Sequence, residues 1–303
     1  MATVIDGSAI AAELGEVVRG ELEAARGSGT EPGLATVLVG SDAAAAAYER
    51  QMGKLAERLG CRYACERMDD GADLDDVLAT IRRLNADPAV TGILVLRPLP
   101  SGIDEQAVND ALDPDKDVEA VHPMNSGLLA QGRARFVPST AAACFHILDE
   151  YARSTGRDPL DLFQGKTIVI VGRSISVGKP AAALGLQRNA TVVTCHSLTA
   201  KAGKLGDFTR LADILIVAAG RAGLVDGDMV REGAVVVDVG MNGEKDPETG
   251  KWRFVGDVDF DSVAARAEAI TPVPGGVGPV TDVWLIRNTV SSAVMAAERR
   301  VRT

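Results

Sequence analysis

A glycine-rich turn that follows a run of β-branched residues is the part of the chain that most directly indicates chemistry. The run, Thr167–Val171, is typical of a fully buried strand. Gly172 ends it, and Gly178 with Pro180 begins a helix that we predict over residues 181–186. Such a turn at a helix N-terminus holds phosphate through backbone N–H groups and the helix dipole. Because the spacing differs from the common G-x-G-x-x-G pattern, an ordinary βα turn is the alternative interpretation.

The end of the next predicted strand, Thr191–Cys195, indicates which dinucleotide this turn binds. In the common dinucleotide-binding fold, an acidic residue at this position binds the ribose 2′-hydroxyl of NAD. Here the strand is followed by His196 and Ser197, and Arg173 lies in the glycine turn. A carboxylate would repel a 2′-phosphate, whereas arginine and serine would bind one. The sequence therefore predicts NADP as the cofactor.

The composition of the chain narrows the classes of function. With 303 residues, 46% hydrophobic and only 4% aromatic, the chain suits an α/β protein of two domains. A net charge of −10 argues against nucleic acid or an anionic membrane as a partner. No apolar run approaches the roughly twenty residues of a membrane span. The N-terminus lacks the features of a signal peptide, so we expect a cytoplasmic protein.

The cysteines and histidines do not indicate a metal centre. Cys61, Cys65, Cys144 and Cys195 show no C-x-x-C spacing and lie among apolar residues. We therefore predict buried thiols in a reduced cytoplasm. The three histidines have no ligand-like spacing either, and no metal site is predicted.

Helical and strand periods alternate through the first 120 residues, which predicts a parallel α/β layer. The predicted strands cover residues 34–39, 61–67 and 92–96. One predicted helix is capped at residues 6–8, and three others cover residues 43–59, 74–84 and 104–112. Residues 113–125 are polar and contain prolines, so we predict a loop. The second half adds a helix over residues 140–155, strands over 213–219 and 234–239, a rigid loop over 271–279 and a helix over 283–300.

Several long strings carry a resemblance that covers essentially the whole chain. They are Val39-Gly-Ser41, Gly92-Ile-Leu-Val95, Pro98-Leu-Pro100, Pro114-Asp-Lys-Asp-Val118, Gly172-Arg-Ser174, Cys195-His-Ser197, Asp238-Val-Gly240, Val255-Gly-Asp-Val258 and residues 271–279. In this order they resemble the bifunctional methylenetetrahydrofolate dehydrogenase/methenyltetrahydrofolate cyclohydrolase family. The resemblance implies an α/β fold with two domains around a cleft. Residues 1–140 and 272–303 would form the folate-binding catalytic domain, and residues 141–271 a Rossmann-like NADP domain, within a homodimer.

The resemblance also implies site residues. Folate would stack on Tyr48 and contact Val95, Leu96, Arg97 and Glu119. The segment Pro274, Gly275, Gly276, Val277 and Gly278 would cover the pterin. The residues implied to hold the cofactor are Gly172, Arg173, Ser174, Val177, Gly178, His196, Ser197 and Met241, the last beside the nicotinamide.

The chain departs from the family at its catalytic motif, a tyrosine followed four residues later by a lysine. Tyr48 is present, but Met52 occupies the lysine position. Lys54 matches a second lysine of the family pattern, but it lies about 240° around the helix from Tyr48 and does not simply replace the first. Leu96 stands where the family has glutamine, and Arg97 where it has leucine.

Further departures lie elsewhere on the substrate side. Glu119 replaces an aspartate that contacts the pterin, with Ala120 in place of glycine. Ser139 replaces a cysteine, and Asp282 replaces a valine two residues before Trp284. Neutral drift is one explanation. Coordinated change is favoured, because lysine to methionine and glutamine to leucine together leave a dry pocket without an unpaired polar group.

These residues predict an NADP-dependent oxidoreductase that converts 5,10-methylenetetrahydrofolate to the methenyl compound. Hydride transfer depends mainly on positioning, whereas hydrolysis of the product needs the acid–base chemistry of the absent lysine. Cyclohydrolase activity is therefore expected to be lost or impaired. Two alternatives remain open. One is a paralogue that uses methylenetetrahydrofolate as a one-carbon donor or reduces another C=N substrate, and the other is a non-catalytic folate or NADP binder.

Overall fold

The computed structural model describes residues 1–245 and 252–302, which form two compact units with separate parallel sheets. The six-stranded unit contains Met1–Ala12 and Thr140–Thr281. The three-stranded unit contains Glu13–Ser139 and the chain from Asp282 onward. This confirms the predicted α/β class with two parallel sheets. Residues 1–12, 140 and 272–281 belong to the six-stranded unit, whereas the division predicted from the sequence places them in the folate-binding domain.

The strands of the described residues have two to seven residues each. In chain order they are β1 Thr3–Val4, β2 Gly33–Val39, β3 Arg62–Met68, β4 Gly92–Val95, β5 Thr167–Val171, β6 Thr191–Cys195, β7 Ile214–Val217, β8 Val235–Asp238, β9 Asn242–Lys245, β10 Trp252–Val255 and β11 Ala269–Ile270.

The helices surround these strands. In chain order they are α1 Gly7–Gly27, α2 Ala43–Leu59, α3 Leu74–Ala86, α4 Glu105–Ala111, α5 Pro123–Ala130, α6 Ser139–Ser154, α7 Pro159–Phe163, α8 Gly178–Gln187, α9 Ser197–Lys201, α10 Leu205–Thr209, α11 Phe260–Ala264 and α12 Val277–Arg302.

The larger sheet has the order β1-β11-β8-β7-β5-β6, and every neighbouring pair is parallel. Its central strands β5, β7 and β8 carry buried apolar side chains, as the continuous β-branched runs predict. Because all strands point the same way, the loops after β5, β6, β7 and β8 gather at one edge. That edge is where open α/β sheets bind ligands.

The smaller sheet has the order β3-β2-β4 and is also parallel. All seven residues of β2 are buried. Asp117 pairs with Ile93 of β4 through an isolated parallel bridge at the edge of this sheet. Helix α12 packs on this unit, where the Asn288 amide donates to the carbonyl oxygens of Val118 and Val137 at 2.8 and 2.9 Å. These bonds fix the backbone next to Glu119 and the backbone two residues before Ser139.

Two loop predictions are wrong at their ends. The predicted loop over residues 113–125 is a turn only as far as His122, because α5 begins at Pro123 with the His122 imidazole as its cap. The predicted loop over residues 271–279 ends early, since α12 begins at Val277. Both helices start beside a proline or glycine that the sequence analysis interpreted only as a turn signal.

The four cysteines are free thiols. Cys61, Cys144 and Cys195 are buried as predicted, but Cys65 is partly exposed because it lies on β3, whose side chains alternate at the sheet edge. Among the described residues, no helix has the length and apolar character that a membrane crossing requires.

Candidate active site

The turn between β5 and α8 has a backbone that only glycine permits. Gly172 has φ +139°, and a Cβ added there would lie 2.2 Å from the carbonyl oxygen of Ala218. A Cβ added at Gly178 would lie 2.2 Å from the carbonyl oxygen of Gly172. The two glycines therefore let the end of β5, the start of α8 and the backbone at Ala218 pack closely together, which a residue with a side chain would prevent.

The first turn of α8 directly follows this glycine turn. Val177, the residue before the helix, provides no side-chain cap, so the helix N-terminus keeps donors for an anion. The Ser174 hydroxyl accepts from the Val177 N–H at 3.1 Å and holds the turn in place. Arg173 and Ser174 are exposed. These positions fit a dinucleotide diphosphate with a cationic side chain beside it.

The two residues that follow β6, His196 and Ser197, have different surroundings. Ser197 is exposed and begins α9. The His196 imidazole instead caps that helix, with its Nδ1 accepting from the Leu198 N–H at 3.3 Å. Ser197 is thus free for a ligand at the carboxyl edge of the sheet, whereas His196 positions the segment. Met241, after β8, is 63% exposed at the same edge.

Two buried aspartates lock the loops of this edge together, a role that the sequence analysis missed. The Asp238 carboxylate accepts from the backbone N–H groups of Gly240, Asp257 and Val258 at 2.9–3.0 Å. The Asp257 carboxylate accepts from three consecutive N–H groups, residues 219–221, at 2.5–2.8 Å. Their signal was in the strings Asp238-Val-Gly240 and Val255-Gly-Asp-Val258, which served only for the family resemblance.

In the three-stranded unit, Tyr48 lies in a network of carboxyl groups. Its hydroxyl donates a hydrogen bond to Asp282, a residue of α12. The Gln51 amide donates to Asp282 Oδ2 at 2.5 Å. Burial, followed by the charges of Asp282 and Glu119, raises the pKa of Tyr48. Burial raises the pKa of Asp282 to about 6, against the opposing hydrogen bonds from Gln51 and Tyr48.

Glu119 lies between a hydroxyl and a second acid. The Ser139 hydroxyl donates to Glu119 Oε1, and burial raises the pKa of Glu119. Asp117, fully buried, accepts from the backbone N–H groups of Val121 and His122 at 3.1 and 2.9 Å. These bonds form a tight turn around Ala120, which takes φ +52°, a left-handed conformation that favours glycine. Glu119 is thereby held on a rigid turn.

Arg97 is turned toward α4. Its guanidinium donates to Glu105, to the Asn109 side chain and to the Val95 carbonyl oxygen, each at 2.7 Å. Its charge lowers the pKa of Glu119, although burial outweighs this effect. Arg97 therefore contributes charge near Glu119, while each of its three guanidinium nitrogens donates a hydrogen bond within the protein.

The chain matches two models of one family across most of its length. Residues 5–119 match the catalytic domain of tetrahydrofolate dehydrogenase/cyclohydrolase, and residues 138–297 match its NAD(P)-binding domain. Bifunctional protein FolD 3 of Rubrobacter xylanophilus is 58% identical over 292 residues, which cover 96% of this chain and 92% of that relative. The chain belongs to the tetrahydrofolate dehydrogenase/cyclohydrolase family.

Solved structures of the tetrahydrofolate dehydrogenase/cyclohydrolase family have the same fold. The bifunctional FolD enzyme of Campylobacter jejuni superposes with a TM-score of 0.89 at 38% identity, covering 98% of this chain and 100% of that one. The Trypanosoma brucei enzyme, solved with NADP and an inhibitor, gives 0.88 at 35% identity, covering 98% of each chain. The family match confirms a dinucleotide-binding domain, as the glycine turn predicted.

Against the family pattern, the lysine position is apolar and closed to solvent. Met52, one helical turn after Tyr48 on α2, is fully buried, and Leu96 is 3% exposed. Lys54 is exposed on another face of the helix. The geometry thus brings Tyr48 together with two carboxyl groups, and Lys54 lies away from them. Residues Pro274–Gly278 belong to the six-stranded unit, and their contact with the pterin stays a prediction.

Proposed function

We propose that the protein oxidises 5,10-methylenetetrahydrofolate to 5,10-methenyltetrahydrofolate with NADP, and that its cyclohydrolase activity is lost or impaired. The observation that carries the proposal is a contrast between two parts of the chain. The turn for the cofactor keeps glycine at both positions where a Cβ would clash with the backbone, whereas the position of the catalytic lysine holds the fully buried Met52. The curated relatives are named bifunctional, so the loss of one activity would distinguish this chain from them.

The dehydrogenase reaction places few demands on side-chain acid–base chemistry. A hydride leaves the one-carbon bridge while the adjacent nitrogens donate electron density, and NADP, when bound, supplies the hydride acceptor. The chain's contribution is to hold both partners in the reactive geometry. We assign the diphosphate to the turn from Gly172 to Gly178, and the 2′-phosphate to Arg173 and Ser197. Tyr48 would orient the folate, and Glu119 would contact the pterin.

The cyclohydrolase reaction needs a group that activates water and then moves a proton to a leaving nitrogen. The thioether of Met52 can do neither, and Lys54 lies on an exposed face of α2. The nearby titratable groups are acids and a phenol whose pKa values are raised. A tyrosine with a raised pKa is a poor base at neutral pH, because the phenolate is scarcely populated.

Two departures from the family, Glu119 and Ser139, contact each other, and a third, Asp282, has hydrogen-bond donors on α2, which favours coordinated change over drift. Glu119, in place of aspartate, accepts from Ser139, in place of cysteine. Asp282, in place of valine, accepts from Tyr48 and Gln51. A buried carboxyl without such partners would be costly, so Glu119 and Asp282 each depend on their hydrogen-bond donors.

The test follows formation of NADPH from NADP, or of NADH from NAD, with methylenetetrahydrofolate as substrate, and the loss of methenyltetrahydrofolate against buffer. NADP should bind more tightly than NAD, and Arg173→Ala should weaken NADP by about 1–3 kcal/mol while sparing NAD, the range for a charge-assisted hydrogen bond. Arg231→Ala is the matched control, because Arg231 precedes β8 at the opposite edge of the sheet and pairs with Asp213. Equal affinity for both cofactors, or rapid hydrolysis of the methenyl compound, would contradict the proposal.

We also propose a homodimer formed through the six-stranded unit and a cytoplasmic location. The family resemblance supports the dimer, and light scattering at micromolar concentration measures it directly. The free thiols of the four cysteines fit a reducing compartment.

A further inference from the structure

The surroundings of Tyr48 have an unusual balance of charge for a site that would hold a lysine in the family. The charged groups with the largest effects on its hydroxyl are the carboxyls of Asp282 and Glu119. The lysine position itself carries the uncharged side chain of Met52. Relative to the family pattern, the site has lost one positive charge and gained one carboxyl at Asp282.

The Asp282 carboxyl is fixed in place. Its residue is 6% exposed, and it accepts from the Gln51 amide and from the Tyr48 hydroxyl. Both donors belong to α2, so Asp282 of α12 is held against the helix that carries the tyrosine. Because its pKa is raised only to about 6, this carboxyl is ionised at neutral pH. A preorganised charge of this kind acts strongly in a partly desolvated site.

The proposed reaction changes the charge of the substrate at its one-carbon bridge. The C–H bond of the methylene bridge breaks, and its electron pair leaves with the hydrogen as hydride. NADP, which the turn from Gly172 to Gly178 would hold, would accept that hydride and be reduced to NADPH. The remaining carbon shares a positive charge with the two folate nitrogens that flank it. A nearby ammonium repels that cation, whereas a carboxylate attracts it.

We propose that Asp282 is a specificity-determining residue that makes the Tyr48 site bind the cationic, oxidised one-carbon folate in preference to an uncharged one. This inference rests on the proposed dehydrogenase function and deepens it. The side chain acts through its charge and through its hydrogen bond to Tyr48, with Gln51 as its support. The site would thus favour hydride loss and retain its cationic product.

The experiment compares the binding of two folates by stopped-flow tryptophan fluorescence, with Trp284 two residues from Asp282 as a reporter. Methenyltetrahydrofolate is the cationic probe, and each mixing is complete before water hydrolyses it. The neutral probe is 5-formyltetrahydrofolate, which carries no charge on its one-carbon group. The variants are Asp282→Asn, which keeps size and polarity, and Asp282→Val, which restores the family residue. Asp110→Asn, an exposed carboxyl of α4, is the matched control.

Both Asp282 variants should bind the cationic probe about tenfold more weakly than the unaltered protein does. Their affinity for the neutral probe should change less than about threefold, as expected for the loss of one nearby charge. Asp110→Asn should change neither. Equal effects on both probes, or no effect on either, would overturn the inference and leave the proposed function standing. If the Asp282 variants lose affinity only for the cationic probe and the unaltered protein forms no NADPH, the inference is supported and the proposed function is overturned. Failure of the unaltered protein to bind either folate would overturn both.

Discussion

The side chain at position 52 separates the two reactions of the family in this chain. Met52 is fully buried, so a lysine there would have to be neutral or paired. Leu96 offers no amide to orient it. Asp282, which is bonded to Tyr48 one turn away, would instead attract the ammonium into an ion pair. A lysine restored alone would therefore be desolvated or trapped.

We expect Met52→Lys alone to recover little hydrolysis of methenyltetrahydrofolate. Met52→Lys with Leu96→Gln should recover measurably more than the sum of the single changes, because the amide would orient the amine. Adding Asp282→Val should raise the rate again by releasing the lysine from its ion pair. The measurement is the loss of methenyl absorbance beyond the rate in buffer. Strict additivity of the three changes would show that the positions act independently.

The Asp282 network shows where sequence reasoning ends at the scale of single residues. The sequence marked Asp282 as a departure, but its partner Gln51 lies 231 positions away in the chain. Charge and hydrophobicity in the sequence do not indicate which distant polar groups meet. Similarly, Glu119 and Ser139 were noted separately, and only the fold shows that they share a hydrogen bond.

Among the elements, the turn between β5 and α8 has a strict backbone requirement that bears on the cofactor. We expect Gly178→Ala to abolish NADP binding, because the added Cβ would lie 2.2 Å from the Gly172 carbonyl oxygen and would displace the turn. Gly20→Ala is the control, since Gly20 lies in α1 with no atom within 4 Å of an added Cβ. It should stabilise the protein by about 0.5–1 kcal/mol through helix propensity.

Isothermal titration with NADP, together with urea unfolding, checks this prediction. Retained NADP affinity in Gly178→Ala would show that the turn adjusts without harm. An equal loss of affinity in Gly20→Ala would show that the effect is global and does not arise in the turn.

Long, strongly patterned elements were predictable from the sequence, whereas short ones were not. The β-branched runs of β5 and β6 gave their observed bounds, and the apolar period of α2 gave Ala43–Leu59. Helices α7, α9, α10 and α11 have five residues each, too few to show a helical period. Strands β1 and β11 have two residues each and exist because neighbouring strands pair with them. Their stability comes from tertiary contacts that local sequence does not encode.

At the scale of the whole molecule, a net charge of −10 coexists with buried acids. Burial raises the pKa of four carboxyls, those of Asp117, Glu119, Asp238 and Asp282. Asp238 and Asp282 reach about 6 and lie in different compact units. Each such group binds its proton more tightly when the protein is folded. Its contribution to stability is therefore complete below the unfolded pKa and is lost as pH rises through the folded one.

We therefore expect the unfolding free energy to lose about 2 kcal/mol for each of Asp238 and Asp282 between pH 4.5 and 7.5, since each pKa rises from 3.8 to about 6. The change at Asp282 can be isolated by comparing the unaltered protein with Asp282→Asn in urea unfolding at both pH values. The stability of the variant, relative to the unaltered protein, should be about 2 kcal/mol higher at pH 7.5 than at pH 4.5. Asp110→Asn should show no such shift, because that carboxyl is exposed. If Asp282→Asn follows the unaltered protein in parallel across this range, the Asp282 carboxyl titrates alike in both states. Ionisation of Asp282 at neutral pH would then not lower the free energy of unfolding.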